Sequence, residues 1–324
     1  MIYINSQPRD LTPINEGVIF EVESDEVADF TIDIIDSITE KVVGTKVIKG
    51  VQYAKVDIAP YIENMVSVAP SWAENSQLKD IDAASYYISV ATEDDSAVSE
   101  PIMVSCNRGA VEINDIYSEQ AAERTIGYGE CDDICFVSLP NATIVAKVTS
   151  STGQQRSIEL HSKTGISQLH ISTAEFSRGA EWLKIELFVD DNLEQSMRYT
   201  IVPRYGGAVR VVWLSEGGMP ERFTLPATLS KSRVVERKSL FTNKIMGEMV
   251  SCKSVNRIVL RSQLLTESEA DFLSTILCSP RVWLELADGV VEAKPLETEM
   301  VTSSFGRLVS AEFTFEYGGK EVLL

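Results

Sequence analysis

Hydrophobic and polar residues alternate along most of this chain. In GVIFEVES, Val18, Phe20 and Val22 fall on one side, and Ile19, Glu21 and Glu23 on the other. A period of two is the mark of a half-buried β-strand. ADFTIDIID repeats it with Phe30, Ile32 and Ile34. KVVGTKVIKG and VQYAKVDIAPYI read as two further strands, with Gly and Pro marking the turns. SYYISVATED and EPIMVSC close a first segment, 1–106, expected to be a β-sandwich. Within it, Pro60 to Pro70 has room for one helical turn.

A second segment, 107–204, carries the same pattern in CFVSLP, ATIVAKVTSS, QQRSIELHS, SQLHIST, WLKIELFVDD and QSMRYTIVPR. Thr152–Gly153 and Asp190–Asp191–Asn192 sit where hairpin turns belong. The expectation is a fibronectin-III/Ig-like sandwich of ordinary size. Tyr205–Gly206–Gly207 reads as a linker into a third segment, 205–324. There AVRVVWL and ERFTL form a strand pair, followed by the basic stretch KSRVVERKSLFTNK and the strand NRIVLRS. Three more strands follow the helix described next, with Asp288–Gly289 as a hairpin turn.

One stretch departs from the period of two. In LLTESEADFLSTILCSP the apolar residues Ala270, Leu273, Ile276 and Leu277 recur at spacings of three and four, predicting an amphipathic helix over 267–278. Thr266 and Glu269 have the spacing of a capping box. Glu267, Glu269 and Asp271 place negative charge at the positive end of the helix dipole, and Ser279–Pro280 stops the helix. So short a helix needs a sheet to pack on. The predicted fold class is therefore mainly β: tandem β-sandwich domains, then a β-sandwich with one packing α-helix.

Composition narrows the function. The chain has 324 residues, 44% hydrophobic and 24% charged, with a net charge of -19 and pI near 4.6. Such acidity opposes nucleic-acid binding through phosphate neutralisation. The first residues, MIYINSQPRDLTPINEG, lack the basic start and apolar core of a secretory signal. No run reaches the roughly 18 apolar residues of a membrane span. The expectation is a chain that stays in the cytoplasm or is built there into something larger. Five scattered cysteines, Cys106, Cys131, Cys135, Cys252 and Cys278, do not form a disulfide framework. Only two histidines, His161 and His170, are present, which lowers the prospect of acid–base catalysis.

Several short motifs invite a chemical reading. CDDIC, Cys131 to Cys135, lacks the second ligand pair of a zinc site and reads as buried or merely adjacent thiols. His161 and His170, with Ser162 nearby, read as a surface pair on neighbouring strands rather than a catalytic dyad. TIGYGE, RYGG and EYGG are not phosphate-binding loops. Trp72, Trp182, Trp213 and Trp283 suit either sugar stacking or packing, with packing the default. A glycan or peptidoglycan hydrolase needs two placed carboxylates, and nothing singles out a pair among the 48 acidic residues. No catalytic, cofactor or metal residue is assigned. The basic stretch with Lys231, Arg233, Arg237, Lys238 and Lys244 stands against the acidic background. It reads as a loop or long hairpin, either solvated or meeting the acidic surface of a neighbouring copy.

The order of elements in the last third, with NRIVLRS, TESEADFLSTIL, RVWLEL, KPLETEMV and VSAEFTFEYGG, resembles the tail-tube-like domain of phage distal tail and baseplate-hub proteins. With LTPINEGVIFEVES, VDIAPYI and WLSEGG before it, the whole chain looks like a class of Bacteroidetes-phage virion proteins. Two sandwiches ahead of the tube-like domain depart from ordinary distal tail proteins. The resemblance implies a non-enzymatic virion structural protein, assembled in the host bacterial cytoplasm and ending in the tail. Its partners would be copies of itself in a closed ring and other tail or baseplate proteins. It would need no cofactor and no membrane, and would read no nucleic-acid sequence, although a ring lumen would pass DNA. On that reading Lys231, Arg233, Arg237, Lys238, Lys244, Trp213 and Trp283 would form the assembly interface. The alternative is a β-sandwich adhesin or carbohydrate-binding module on a virion or cell surface.

Overall fold

The computed structural model describes residues 1–324 except 11, 15–16, 64, 67, 82–83, 106–113, 115, 118–122, 140, 164–165, 204–205, 216–217, 241–247, 297–301, 306–307 and 324. It is built almost wholly of β-strands in four sheets. In the first, the 18-residue strand Ile19–Asp36 pairs with Ile2–Ser6, Lys41–Asp57 and Ala84–Ala91. The alternation fixes its faces: Val18, Phe20, Val22, Phe30, Ile32 and Ile34 are wholly buried, while Ile19 is exposed. The expected pair of strands at 41–57 is one continuous strand. Gly50 does not turn the chain; at φ 64° it forms a bulge opposite Asp29, whose carboxylate accepts from the Gly50 N–H. Pro60 opens a single helical turn at Ala59–Ile62.

The second segment is a two-layer sandwich. Its five-stranded sheet runs Glu123–Gly127, Asn192–Val202, Trp182–Val189, Thr143–Ser150, Gln155–His161. Asp190 and Asp191, both at positive φ, make the predicted tight turn between Val189 and Asn192. The facing four-stranded sheet runs Gln77–Asp80, Ile166–Ser172, Cys131–Val137, Ile116–Tyr117. Its edge strand Gln77–Asp80 comes from the first hundred residues and pairs with Ile166–Ser172. The first two segments therefore share a sheet, and a boundary at 106 does not separate them.

The third segment is one eight-stranded sheet, from Pro220–Leu225 at one end to Ala227–Leu240 at the other. Its core holds Phe223 and Leu225 of the first end together with Ile258 and Leu260 of Glu248–Arg261, the strand beside the other end. Four strands follow the helix rather than three; the additional one is Thr302–Phe305. The helix is α over Glu267–Ser274 and 3-10 over Thr275–Cys278. Its capping box forms, with Thr266 Oγ1 accepting from Glu269 N and Glu269 Oε2 accepting from Thr266 N. Ala270, Leu273 and Ile276 are buried as expected, Leu277 is half-buried, and Phe272 joins them. Trp213 is wholly buried under this helix, packs at a 50° tilt against Phe272 and donates to Thr275 Oγ1 at 3.0 Å.

Candidate functional site

Two regions stand out from ordinary packing: a buried ionic junction where the three segments meet, and an exposed hairpin arm. The junction is built on the four-stranded sheet. In Cys131–Val137, Ile134 and Phe136 point into the second segment's core. Their neighbours Cys135 and Val137 point outward, yet they are equally buried against Ile62, Val66 and Val68 of the first segment and Met219 of the third. Both faces are covered, so any polar residue on these strands must find its partner inside the protein.

The carboxylates of CDDIC do so on opposite faces. Asp132 Oδ2 accepts from Tyr199 Oη at 2.7 Å and Arg124 Nη1 at 3.3 Å. Its other oxygen faces Arg210 Nη2 at 3.4 Å. Arg210 also reaches Glu130 Oε2 at 3.1 Å and Thr224 Oγ1 at 2.9 Å, joining the second segment to the third. Glu130 further accepts from Gly127 N, and a Cβ at Gly127 would lie 2.6 Å from the Glu130 carboxyl carbon. On the outer face, Asp133 Oδ2 accepts from Arg222 Nη2 at 2.8 Å and from Ser71 N at 3.0 Å. Arg222 also bonds the Ser71 carbonyl and pairs with Glu285.

His170 lies directly across from Asp133 in the sheet and is fully buried. Its Nδ1 is 2.7 Å from Asp133 Oδ1 and its Nε2 is 2.9 Å from the Ala73 carbonyl oxygen. Both partners are acceptors, so both ring nitrogens carry protons and the ring is an imidazolium. Burial opposes that charge, but the hydrogen bond and charge of Asp133, with Cys131 beside it, push the pKa up to about 9. Burial likewise works against the Asp133 carboxylate, yet His170 and Arg222 hold it below its ordinary range. Through these bonds the segment Val68–Ser76 becomes a strap. Val68 N donates to Gly218 O, Gln168 to Ala69 O, and Ser76 Oγ accepts from Ser172 N.

The histidines are thus not a surface pair on neighbouring strands. His161 is exposed on the five-stranded sheet and His170 is buried in the other, because Asp133 supplies the counter-charge that makes burial tolerable. Cys131 and Cys135 lie four positions apart on one strand, so their thiols are separated; the junction uses the two aspartates between them. Cys131, Cys252 and Cys278 are free thiols. Among the described residues no three His, Cys, Asp or Glu side chains cluster as metal ligands, and no helix is long and apolar enough to cross a membrane.

The arm is the antiparallel pair Ala227–Leu240 and Glu248–Arg261, with Leu308–Leu323 alongside. Among the described residues, the pair adds no further hydrophobic residue to the buried core from Ile258 outward. Among the described residues Ala227–Leu240 is an edge strand of its sheet, and Lys231, Arg233 and Arg237 on it are exposed. Lys238 lies on the same strand, and Lys244 falls outside the described residues. Trp213 belongs to the core and is not on this surface. Trp283 is half-buried and packs edge-on against Trp72, with centroids 6.2 Å apart.

No family model matches the chain, and no curated protein matches it by sequence. Among solved structures, the chicken interferon gamma receptor alpha chain aligns at 7% identity over 62% of this chain and 98% of its own, with a TM-score of 0.20. Dpr2 Ig1-Ig2 in complex with DIP-Theta Ig1-Ig3 aligns at 8% identity over 98% of this chain and 89% of that chain, with a TM-score of 0.23. Likeness at this level carries no inference about role.

Proposed function

We propose that this chain is a non-enzymatic structural subunit of a phage tail or baseplate, which closes with copies of itself into a ring. The observation that carries this reading is the arm: a cationic edge strand on an acidic body. Residues 227–261 hold eight basic and two acidic residues, while residues 1–105 hold six basic and 19 acidic. An edge strand carrying cations is blocked from pairing with its own kind and is open to an acidic surface on a neighbour. The buried junction supports the same reading, since a subunit that transmits position round a ring benefits from modules that do not swing.

Negative-stain images and light scattering of the purified protein test this. Closed rings are expected, and charge reversal of Lys231, Arg233 and Arg237 to Glu is expected to leave folded monomers. A monodisperse monomer at every concentration, together with virions that lack such a ring, overturns the reading. A second reading, an adhesin or carbohydrate-binding module, is favoured by one observation: Trp72 stands 46% exposed beside Trp283.

A further inference from the structure

Trp72 and Trp283 are 211 positions apart in the chain, on the strap and on the strand Val282–Leu286 respectively. Their rings meet at 71°, forming a corner. Each ring is backed by a guanidinium: Arg222 stands 4.9 Å from the Trp72 ring centre, and Arg281 4.9 Å from that of Trp283. Across the sheet, Trp283 neighbours Glu292, which pairs with Arg281 at 3.2 Å. Arg281 and Glu292 are both more than half exposed. The row running from Arg222 past Val212 to Trp283 and Glu292 therefore passes from the sealed junction to open water.

The strap does not need the Trp72 ring to stay in place. Its backbone on either side is fixed by polar bonds, from Asp133 and Arg222 at Ser71 and from His170 at Ala73. The Trp72 indole is nearly half in water, with Trp283 and Arg222 against it. A rigid aromatic corner with a donor and an acceptor at its rim is a preorganised binding surface. We propose that Trp72 and Trp283 form a carbohydrate subsite that takes one pyranose ring of a neutral glycan. The sugar's C–H face lies on the indole surface, and its hydroxyls exchange hydrogen bonds with Arg281 and Glu292. A nucleic-acid strand is disfavoured by the net charge of -19.

Tryptophan fluorescence and calorimetry with cellohexaose, maltohexaose and chitohexaose test the proposal. A saturable response to at least one of them is expected. Trp72→Ala and Trp283→Ala should each weaken it about tenfold or more, while Trp182→Ala leaves it unchanged. Trp72→Phe, which keeps a ring at a half-exposed position, gives a folded variant should the alanine destabilise the strap, and a several-fold loss is expected. No response to any of the three, or Trp72→Ala and Trp72→Phe binding within about twofold of the parent, makes the corner an inter-module packing contact only. Ring closure is measured separately by light scattering, so failure of the subsite and failure of the assembly reading are distinguishable.

Discussion

The junction and the arm are made from the same residue types and use them in opposite ways. Arg124, Arg210 and Arg222 are buried, and each faces a carboxylate. Lys231, Arg233 and Arg237 lie on an edge strand in water. A buried charge loses its hydration, so removing its partner leaves a deficit of about 3–5 kcal/mol. An exposed charge keeps its hydration and contributes about 0–1 kcal/mol to the fold. The same guanidinium is thus structural in one place and free for a partner in the other, and burial alone makes the difference.

The sharpest way to break this comparison is Asp133→Ala, which strands Arg222 and His170 together. A loss of about 3–5 kcal/mol is expected in urea denaturation. A loss below about 1 kcal/mol would place the junction in the class of surface pairs.

Titration is a gentler probe. The folded pKa of His170, about 9, lies above its ordinary 6.5, so protonation favours the fold. That contribution is complete below about pH 6.5 and is lost as the pH climbs through about 9. The groups facing the ring are Asp133, with Arg222 on the same carboxylate, and Cys131. The parent should lose stability along this alkaline limb, and His170→Gln should be less stable at neutral pH without that loss. Urea midpoints across the pH range decide it. An unchanged limb in the variant refutes the imidazolium.

Gly127→Ala adds a methyl where the Glu130 carboxyl group already lies, and about 1–3 kcal/mol of destabilisation is expected by the same measurement. The smallest effect belongs to the arm. Lys231→Ala, Arg233→Ala and Arg237→Ala should each fall within about 0.5 kcal/mol of the parent in thermal unfolding. A larger loss would show the arm to be part of the fold rather than a surface kept for a neighbour.

The strand faces were legible because burial on one side imposes a period of two, and Val18 through Val22 follow it without exception. The helix was legible because its cap and its stop are both local. Gly50 was misread because a glycine at positive φ serves a bulge as readily as a turn, and only the partner strand decides which. The junction was hidden for a different reason. Asp133 meets Arg222 across 89 positions, and no local period marks two charges that will neutralise each other. The available signal was a run of charged residues inside strands otherwise fit for a core, in CDDIC, VRVVWL and ERFTL. The strap was hidden too, since 68–76 has neither period; it is ordered by hydrogen bonds to residues far along the chain.

The two-faced sheet also sets a timetable for biosynthesis. When Cys131–Val137 leaves the ribosome, its outer face can already meet Ile62, Val66 and Val68, while its inner face waits for the strands of residues 143–202. On the outer face Asp133 must still wait for Arg222, 89 residues later, to emerge. At about 5–20 residues per second, that is roughly 4–18 s during which Asp133 lacks its guanidinium partner on a nascent chain. A chaperone that shields this surface would have its window then, and a pause in translation before residue 222 would lengthen it.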